Sequence, residues 1–237
     1  AAAVRGVFMA SGDLVDCPNV FRHGDGWCML YVSFNGHGYE TWLAKSPDLV
    51  HWTKAGKALA FGGPAAWDEW QSDGGPALLD TAWGGSCSLQ KHENKYWMTF
   101  IGGRLQGYET DPLSIGVATT DNPASGLWTK DPANPVLSAS QLDVREFESY
   151  TLYKTFVVWD KAASLGWPFV MYYNGKGPGG ERIGMAVSKD MRNWRRYGTV
   201  PVVENAKAGG GWGISGDPMV TKIGDVWVMF YFGAFWR

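Results

Sequence analysis

The sequence predicts an all-β fold built from repeated units of short antiparallel strands, and three observations support this prediction. The first is the opening unit, in which a strand at 16–22 is followed by a glycine turn and strands at 27–31 and 41–46. No part of this unit has the 3.6-residue period of a helix. The second is the content of 14 Trp, 10 Tyr and 11 Phe residues, which favour pleated sheets. The third is the recurrence of the unit along the chain.

The unit recurs three more times, and the spacing of its copies predicts the architecture. A basic residue is expected to end the first strand of each unit, and these residues recur at intervals of 63 to 69 positions: Arg22, Lys91, Lys154 and Lys222. That period fits one four-stranded blade with long loops, so we expect a β-propeller with three complete blades and a fourth begun. We expect one domain over residues 1–237, incomplete at its C-terminus because a partial ring leaves open edge strands.

Composition and charge exclude several classes of protein. The chain has 237 residues, 45% hydrophobic and 19% charged, which is ample for one large core. A net charge of -2 gives no basic stripe, so neither nucleic acid nor an acidic membrane surface is an expected partner. No apolar run is long enough to span a bilayer. Residues 1–4 lack the features of a signal peptide, and localisation stays open, with secretion or the periplasm preferred to the cytoplasm.

The cysteines indicate free thiols. Cys17, Cys28 and Cys87 are an odd number at wide spacings, which fits neither a disulfide framework nor a zinc site. A free Cys usually behaves as a small hydrophobic residue.

Two motifs resemble those of a known group of enzymes. The first unit opens with the Asp-x-Pro sequence of residues 16–18, and third strands end in hydrophobic-Ala-x-Ser-x-Asp followed by Trp, at 43–52 and 185–194. With acidic residues at later inner strands, the chain resembles the five-bladed β-propeller glycosidases, which include glycoside hydrolase families 43, 32, 62, 68, 117 and 130. The resemblance implies a five-bladed propeller that hydrolyses a glycosidic bond of a carbohydrate. We expect no metal and no cofactor, and the oligomeric state stays open.

In that superfamily the catalytic carboxylates lie where the inner strands begin, around the central axis. Counting six residues back from each basic marker reaches Asp16, Gly85, Glu148 and Gly216, the last beside Asp217. Cleavage needs one carboxyl group to protonate the leaving oxygen and an ionised one to activate water or attack the sugar. Asp16 resembles the general base or nucleophile, Glu148 is the expected proton donor, and Asp217 is a second donor or a pKa-tuning partner.

These roles predict that the carboxyl groups of Asp16, Glu148 and Asp217 converge on one funnel floor. We expect inversion, because non-adjacent blades should hold Asp16 and Glu148 far enough apart for a water molecule. The alternative for Glu148 is a structural ion pair with Arg145, which would place the true acid elsewhere.

Strand direction predicts the rim of the funnel. If inner strands start at the active face, second strands end there, so the loops 33–40, 102–111 and 174–182 should line it. The candidate substrate contacts in these loops are His37, Arg104, Asn174, Lys176 and Arg182. The segment 67–76 enters the same face and adds Asp73, although it fits equally well a loop that packs its two Trp side chains on the core.

Two other functions stay open. A glycoside phosphorylase would use inorganic phosphate in place of water, held by a basic cluster such as Arg104, Lys176 and Arg182. A non-catalytic glycan-binding propeller would bind sugars on aromatic side chains and polar groups. Phosphate dependence of turnover separates the phosphorylase from the hydrolase.

Overall fold

The structure is a computed structural model that describes residues 14–205 and 212–235. Residues 1–4, considered above for a signal peptide, lie outside this part of the chain. The described residues form fifteen β-strands and a short 3-10 helix at Glu146–Glu148, so the fold is nearly all-β, as predicted. Among these residues no helix has the length and apolar character needed to cross a bilayer.

The strands form consecutive antiparallel meanders within two sheets, and we call each meander a blade. The first blade contains β1 (Leu14–His23), β2 (Gly26–Phe34), β3 (Tyr39–Ser46) and β4 (Thr53–Leu59). The second contains β5 (Gln71–Pro76), β6 (Tyr96–Gly103), β7 (Leu113–Thr120), β8 (Thr129–Lys130) and β9 (Leu137–Ser138). The third contains β10 (Thr151–Trp159), β11 (Phe169–Gly177), β12 (Gly180–Ser188) and β13 (Trp194–Arg196). Finally, β14 (Gly213–Ile223) and β15 (Val226–Phe235) begin a fourth, and five blades for a complete ring stays a prediction.

Alternate side chains of one strand supply the cores on its two sides. In β6, Trp97 and Ile101 pack into a cluster shared with β10, β11 and β12 of the third blade. The residues between them, Met98 and Phe100, pack into a cluster shared with the first blade. Successive side chains of β6 therefore point to opposite faces, and both faces are buried. The second blade packs between the first and the third.

Short parallel bridges join neighbouring blades at the face where the inner strands begin. β3 pairs with β5 through Tyr39 and Gln71, and β12 pairs with β14 in the same way. The backbones approach so closely beside the first bridge that a Cβ atom on Gly38 would lie 1.7 Å from the carbonyl oxygen of Trp70. A glycine is therefore needed at this junction between the first and second blades.

Replacing Gly38 with Ala is expected to lower the free energy of unfolding by about 1–3 kcal/mol, the usual cost of overpacking. Urea unfolding followed by Trp fluorescence measures this change. The matched control is Gly63→Ala, where a new Cβ would meet no atom within 4 Å and should leave the midpoint close to that of the parent. Equal midpoints for the two variants would contradict the close approach of the blades.

The inner strand of the second blade is followed by an inserted hairpin, residues 79–89, which we call the crossing hairpin. The ladder with β6 runs to Ala77, after which the chain leaves the blade. The crossing hairpin forms parallel bridges to Arg22, near the end of β1, and to Lys222, in β14. It therefore ties the first blade to the fourth at the face opposite to the starts of the inner strands.

Candidate active site

The inner strands β1, β5, β10 and β14 meet at a cavity of about 200 Å³. Each of these strands contributes at least two residues to its lining, and β6 adds two more. Among the described residues, the lining includes the carboxyl groups of Asp73 and Asp217, the thiol of Cys17 and the ammonium group of Lys154. This is the funnel that the direction of the inner strands predicts.

Backbone bulges direct three of these side chains into the cavity. The pairing register shifts once in each of β1, β10 and β14. At each shift a residue adopts a positive φ: Cys17 at 52°, Lys154 at 49° and Asp217 at 52°. Non-glycine residues adopt this conformation uncommonly, and bulges often re-aim a side chain next to an active site.

Lys154 is the centre of a charged cluster. Its Nζ atom lies 2.9 Å from Glu109 Oε1, 3.3 Å from Asp73 Oδ2 and 2.9 Å from Cys17 Sγ. Burial would lower the pKa of Lys154, but the charges of Asp73 and Glu109 and the hydrogen bond to Cys17 outweigh it and raise the pKa. Lys154 is therefore an ammonium ion at neutral pH, and its donors are used within the cavity.

Cys17 is a neutral thiol that accepts a hydrogen bond from Lys154. Burial, followed by the charge of Asp73, raises the pKa of Cys17 to about 12, even though Lys154 acts in the opposite direction. Because the thiolate is the reactive form, Cys17 is not a nucleophile at neutral pH. This agrees with the prediction of a free thiol, and all three cysteines are free.

Asp217 is held by a reciprocal pair of hydrogen bonds. Asn174 Nδ2 donates to Asp217 Oδ1 at 3.2 Å, and the Asp217 backbone N–H donates to Asn174 Oδ1 at 2.9 Å. Asn174, a predicted substrate contact, is buried and positions Asp217. Asp217 is accessible from the cavity, yet desolvation of its carboxyl group raises its pKa. The charge of Lys154 and the hydrogen bond from Asn174 act in the opposite direction, and the charges of Asp16 and Asp73 add smaller upward contributions.

A further carboxyl group with a raised pKa lies close by, on β12. Burial raises the pKa of Glu181, and the charges of Glu109 and Asp217 act in the same direction. Its partners are the Tyr153 hydroxyl and the charge of Lys176, which lower the pKa but do not outweigh burial. Sequence reasoning missed Glu109 and Glu181, because their approach to the cavity depends on how a loop and a strand start fold over it.

Glu148 is not at the cavity, so the expected convergence of three acids is wrong for this residue. Its side chain is fully buried at the end of the 3-10 helix. Its carboxylate accepts hydrogen bonds from Arg145 at 2.9 Å, from the Tyr173 hydroxyl at 2.6 Å and from Arg196. Burial would raise the pKa of Glu148, but these hydrogen bonds and the two arginine charges lower it overall. The structural pair with Arg145 is the observed arrangement.

Asp16 lies beside the cavity and is not one of its lining residues. Its side chain is exposed, and Oδ1 accepts the backbone N–H of Cys17 at 2.7 Å. The bulge turns Cys17, the next residue, into the cavity in its place. Asp73, predicted as a binding residue, does line the cavity.

Elsewhere in segment 67–76, Gly75 and Pro76 also line the cavity, whereas Trp67 packs on the core, as one of the two interpretations of this segment predicted. Trp67 packs against Phe100 with ring centroids 5.4 Å apart, and buried Asp68 pairs with Lys130.

The predicted basic cluster is not a set of free cations. Lys176 Nζ forms an ion pair with Asp111 at 2.7 Å, and Arg182 forms one with Glu204 at 2.8 Å. Arg104 is exposed and lies outside the cavity lining.

His37 is also exposed and outside the lining, with Nδ1 3.3 Å from Gln106 Oε1. Polar side-chain contacts therefore link the rim loops, from His37 to Gln106 and from Lys176 to Asp111.

Pairing with the second strands identifies equivalent positions on the four inner strands. The equivalent residues are Asp16, Asp73, Tyr153 and Gly216. Each of these residues pairs with a residue of the second strand that lies three positions after a methionine of that strand. The methionines are Met29, Met98, Met171 and Met229. The methionine spacing is the sequence signal that would have aligned the strands.

In two blades, counting six residues back from the basic residue gave a different alignment. In the third blade Lys154 lies inside β10, five residues before the strand ends at Trp159, so the count back from Lys154 reached Glu148 and not Tyr153. In the second blade the crossing hairpin separates Lys91 from β5, and the count reached Gly85, which lies in that hairpin. A single insertion and a cation turned into the cavity therefore account for both errors.

Comparison with known proteins identifies the class of this chain. No protein-family model matches it, and no curated protein does. A solved glycoside hydrolase is 41% identical with a TM-score of 0.89, over 98% of this chain and 69% of that one. A solved complex of BT0996 with RGII is 42% identical with a TM-score of 0.88, over 97% of this chain and 68% of that one. A family 117 glycoside hydrolase from the marine bacterium Zobellia galactanivorans, 18% identical with a TM-score of 0.53 over 81% and 48%, shares the fold.

The identity and coverage of the first two structures show that this chain belongs to the β-propeller glycoside hydrolases. It is a glycosidase, and its substrates are carbohydrates.

Proposed function

We propose that the chain hydrolyses a glycosidic bond at the cavity, with Asp217 as proton donor and Asp73 as the ionised partner. The observation that supports this is the unequal surroundings of the two carboxylates that line the cavity. Asp73 forms an ion pair with Lys154, whereas Asp217 is hydrogen-bonded by the neutral amide of Asn174 and has a raised pKa. Glycosidic cleavage needs one carboxyl group that donates a proton and one that is ionised, and the unequal surroundings of Asp217 and Asp73 suit these two roles.

Asp16 has a supporting role in this assignment, because its exposed carboxylate adds a negative charge near Asp217 without lining the cavity. Glu181 is the second carboxyl group that could carry a proton. Comparing Asp16→Asn and Glu181→Gln with Asp217→Asn ranks these acids, and we expect the largest loss of kcat for Asp217→Asn.

Inversion is the proposed stereochemical outcome. Asp73 and Asp217 belong to the second and fourth blades, and Lys154 of the third blade lies beside both. Non-adjacent blades favour the roughly 6.5–9.5 Å separation that leaves room for a water molecule. Proton NMR of the first anomer released measures the outcome, and a retained configuration would require a covalent intermediate instead.

Turnover is expected to be independent of inorganic phosphate, because two of the three cations that could hold this ion are paired with carboxylates. A panel of aryl glycosides and RGII, the ligand in the complex of one structural neighbour, provides the substrates. Release of reducing sugar in phosphate-free buffer supports hydrolysis. A requirement for phosphate with formation of a sugar phosphate would instead support a phosphorylase, and binding without turnover would support a glycan-binding protein.

A further inference from the structure

Lys154 is the one basic side chain among the described residues that line the cavity. Its ammonium group contacts a carboxylate on β5 and another on the loop between β6 and β7, at 3.3 and 2.9 Å. The side chain is only 15% exposed, and its backbone sits in a bulge with positive φ. The ammonium group of Lys154 is thus fixed between two carboxylates, Asp73 of β5 and Glu109 of the loop.

We propose that Lys154 is a positioning residue that fixes Asp73 and Glu109 as carboxylates and so decides which acid of the cavity carries the proton. This inference takes its catalytic meaning from the proposed function, but its first measurement does not require turnover.

The titratable groups that interact with Lys154 come from five different elements. They are Cys17 of β1, Tyr39 of β3, Asp73 of β5, Glu109 of the loop and Asp217 of β14. Three of these five are carboxyl groups, and Cys17 is a neutral thiol, so Lys154 offsets a local excess of negative charge. Without it, like charges would disfavour the ionised form of each neighbour.

A purely space-filling role would make a different prediction. A neutral side chain of similar length would then preserve both the geometry and the titration of the acids. Under our inference the charge is what matters, because an opposite charge within about 4–6 Å lowers a carboxyl pKa by about 1–3.

The first experiment is a ¹³C NMR titration of the Asp and Glu carboxyl groups in the substrate-free protein. In Lys154→Met the titration of Asp217 should move to higher pH by about one unit or more, whereas Lys154→Arg should stay near the parent. The matched control is Lys57→Met, which removes a partly buried ion pair with Glu40 away from the cavity and should leave Asp217 unchanged. An unchanged titration of Asp217 in Lys154→Met would overturn the inference.

The second experiment is the pH dependence of kcat/KM on a cleaved aryl glycoside. Removing a positive charge raises carboxyl pKa values, so the limbs of the profile should shift upward in Lys154→Met and not in Lys57→Met. If Lys154→Met does not fold, the same measurements are made on Lys154→Gln. In addition, the ¹³Cε resonance of Lys154 is followed by NMR as a function of pH in the parent protein. That resonance should follow the protonation of Asp73 and Glu109, and a flat response would also overturn the inference. Absence of turnover on every glycoside would count against the proposed function. The NMR titration of the substrate-free protein would still test the role of Lys154.

Discussion

The Asp217→Asn variant is expected to keep the parent fold and to lose about 10²–10⁴-fold in kcat on glycosides with poor leaving groups. The reason is that an amide cannot deliver a proton to the leaving oxygen. Its geometry should survive, since Asn at position 217 can still accept from Asn174 Nδ2 and its backbone N–H can still donate to Asn174 Oδ1. The measurement is steady-state kinetics on aryl glycosides whose phenols span a wide range of acidity.

The dependence on leaving group identifies the proton donor. Asp217→Asn should recover much of its activity on a dinitrophenyl glycoside, because that phenol leaves without protonation. Asp73→Asn should lose activity on all of the substrates, because an ionised carboxylate is needed whatever the leaving group. The matched control is Asp225→Asn, an exposed residue of the turn between β14 and β15, which should behave like the parent. Near-normal turnover of poor leaving groups by Asp217→Asn would assign the donor role elsewhere, with Glu181 next.

The repeated unit could be predicted from the sequence because turns and strands follow from local sequence patterns. Turn residues such as Gly24 and Gly224 separate strands whose successive side chains point to opposite faces. In β6, for example, Trp97 and Ile101 pack on one face, and Met98 and Phe100 pack on the other. The crossing hairpin was not readable in the same way. It looks like any turn-rich loop, and only its bridges to two distant strands reveal its role.

The candidate site was readable in part for a related reason. Asp73 and Asp217 lie on inner strands, so strand order alone carries them to the axis. In the sequence Lys154 looked like the last residue of an inner strand, as Lys222 is near the end of β14. In the structure Lys154 lies inside β10, where a bulge turns its side chain into the cavity. Bulges and loop closures depend on tertiary contacts, and a period-based count passes over them.

The Glu148→Ala variant is expected to lose about 3–5 kcal/mol of unfolding free energy, the cost of breaking a buried ion pair from one side. Arg196 has a side chain only 3% exposed, and it loses a carboxylate partner in this variant. Arg145 and the Tyr173 hydroxyl lose theirs as well. Asp143, which accepts from Arg196 at 2.6 Å, is left to offset the charge at a more exposed position.

The pH dependence of this loss follows from the lowered pKa of Glu148. A carboxyl group with a lower pKa in the folded state stabilises the fold above its unfolded pKa of about 4.3, and this stabilisation is lost as the pH falls through the folded value. The gap between parent and Glu148→Ala should therefore be full at pH 7 and should narrow as the pH falls below about 4.3. Urea unfolding at a series of pH values measures it.

The matched control is Glu146→Ala, which removes an exposed carboxylate from the same 3-10 helix and should change stability by less than about 0.5 kcal/mol. Activity measured well below the melting temperature distinguishes a structural role of Glu148 from a catalytic one. A structural Glu148 leaves the kcat of the folded fraction near that of the parent, because its carboxylate is enclosed by Arg145, Arg196 and Tyr173. A variant that melts like the parent but has lost turnover would return Glu148 to the catalytic machinery and overturn its assignment as a structural residue.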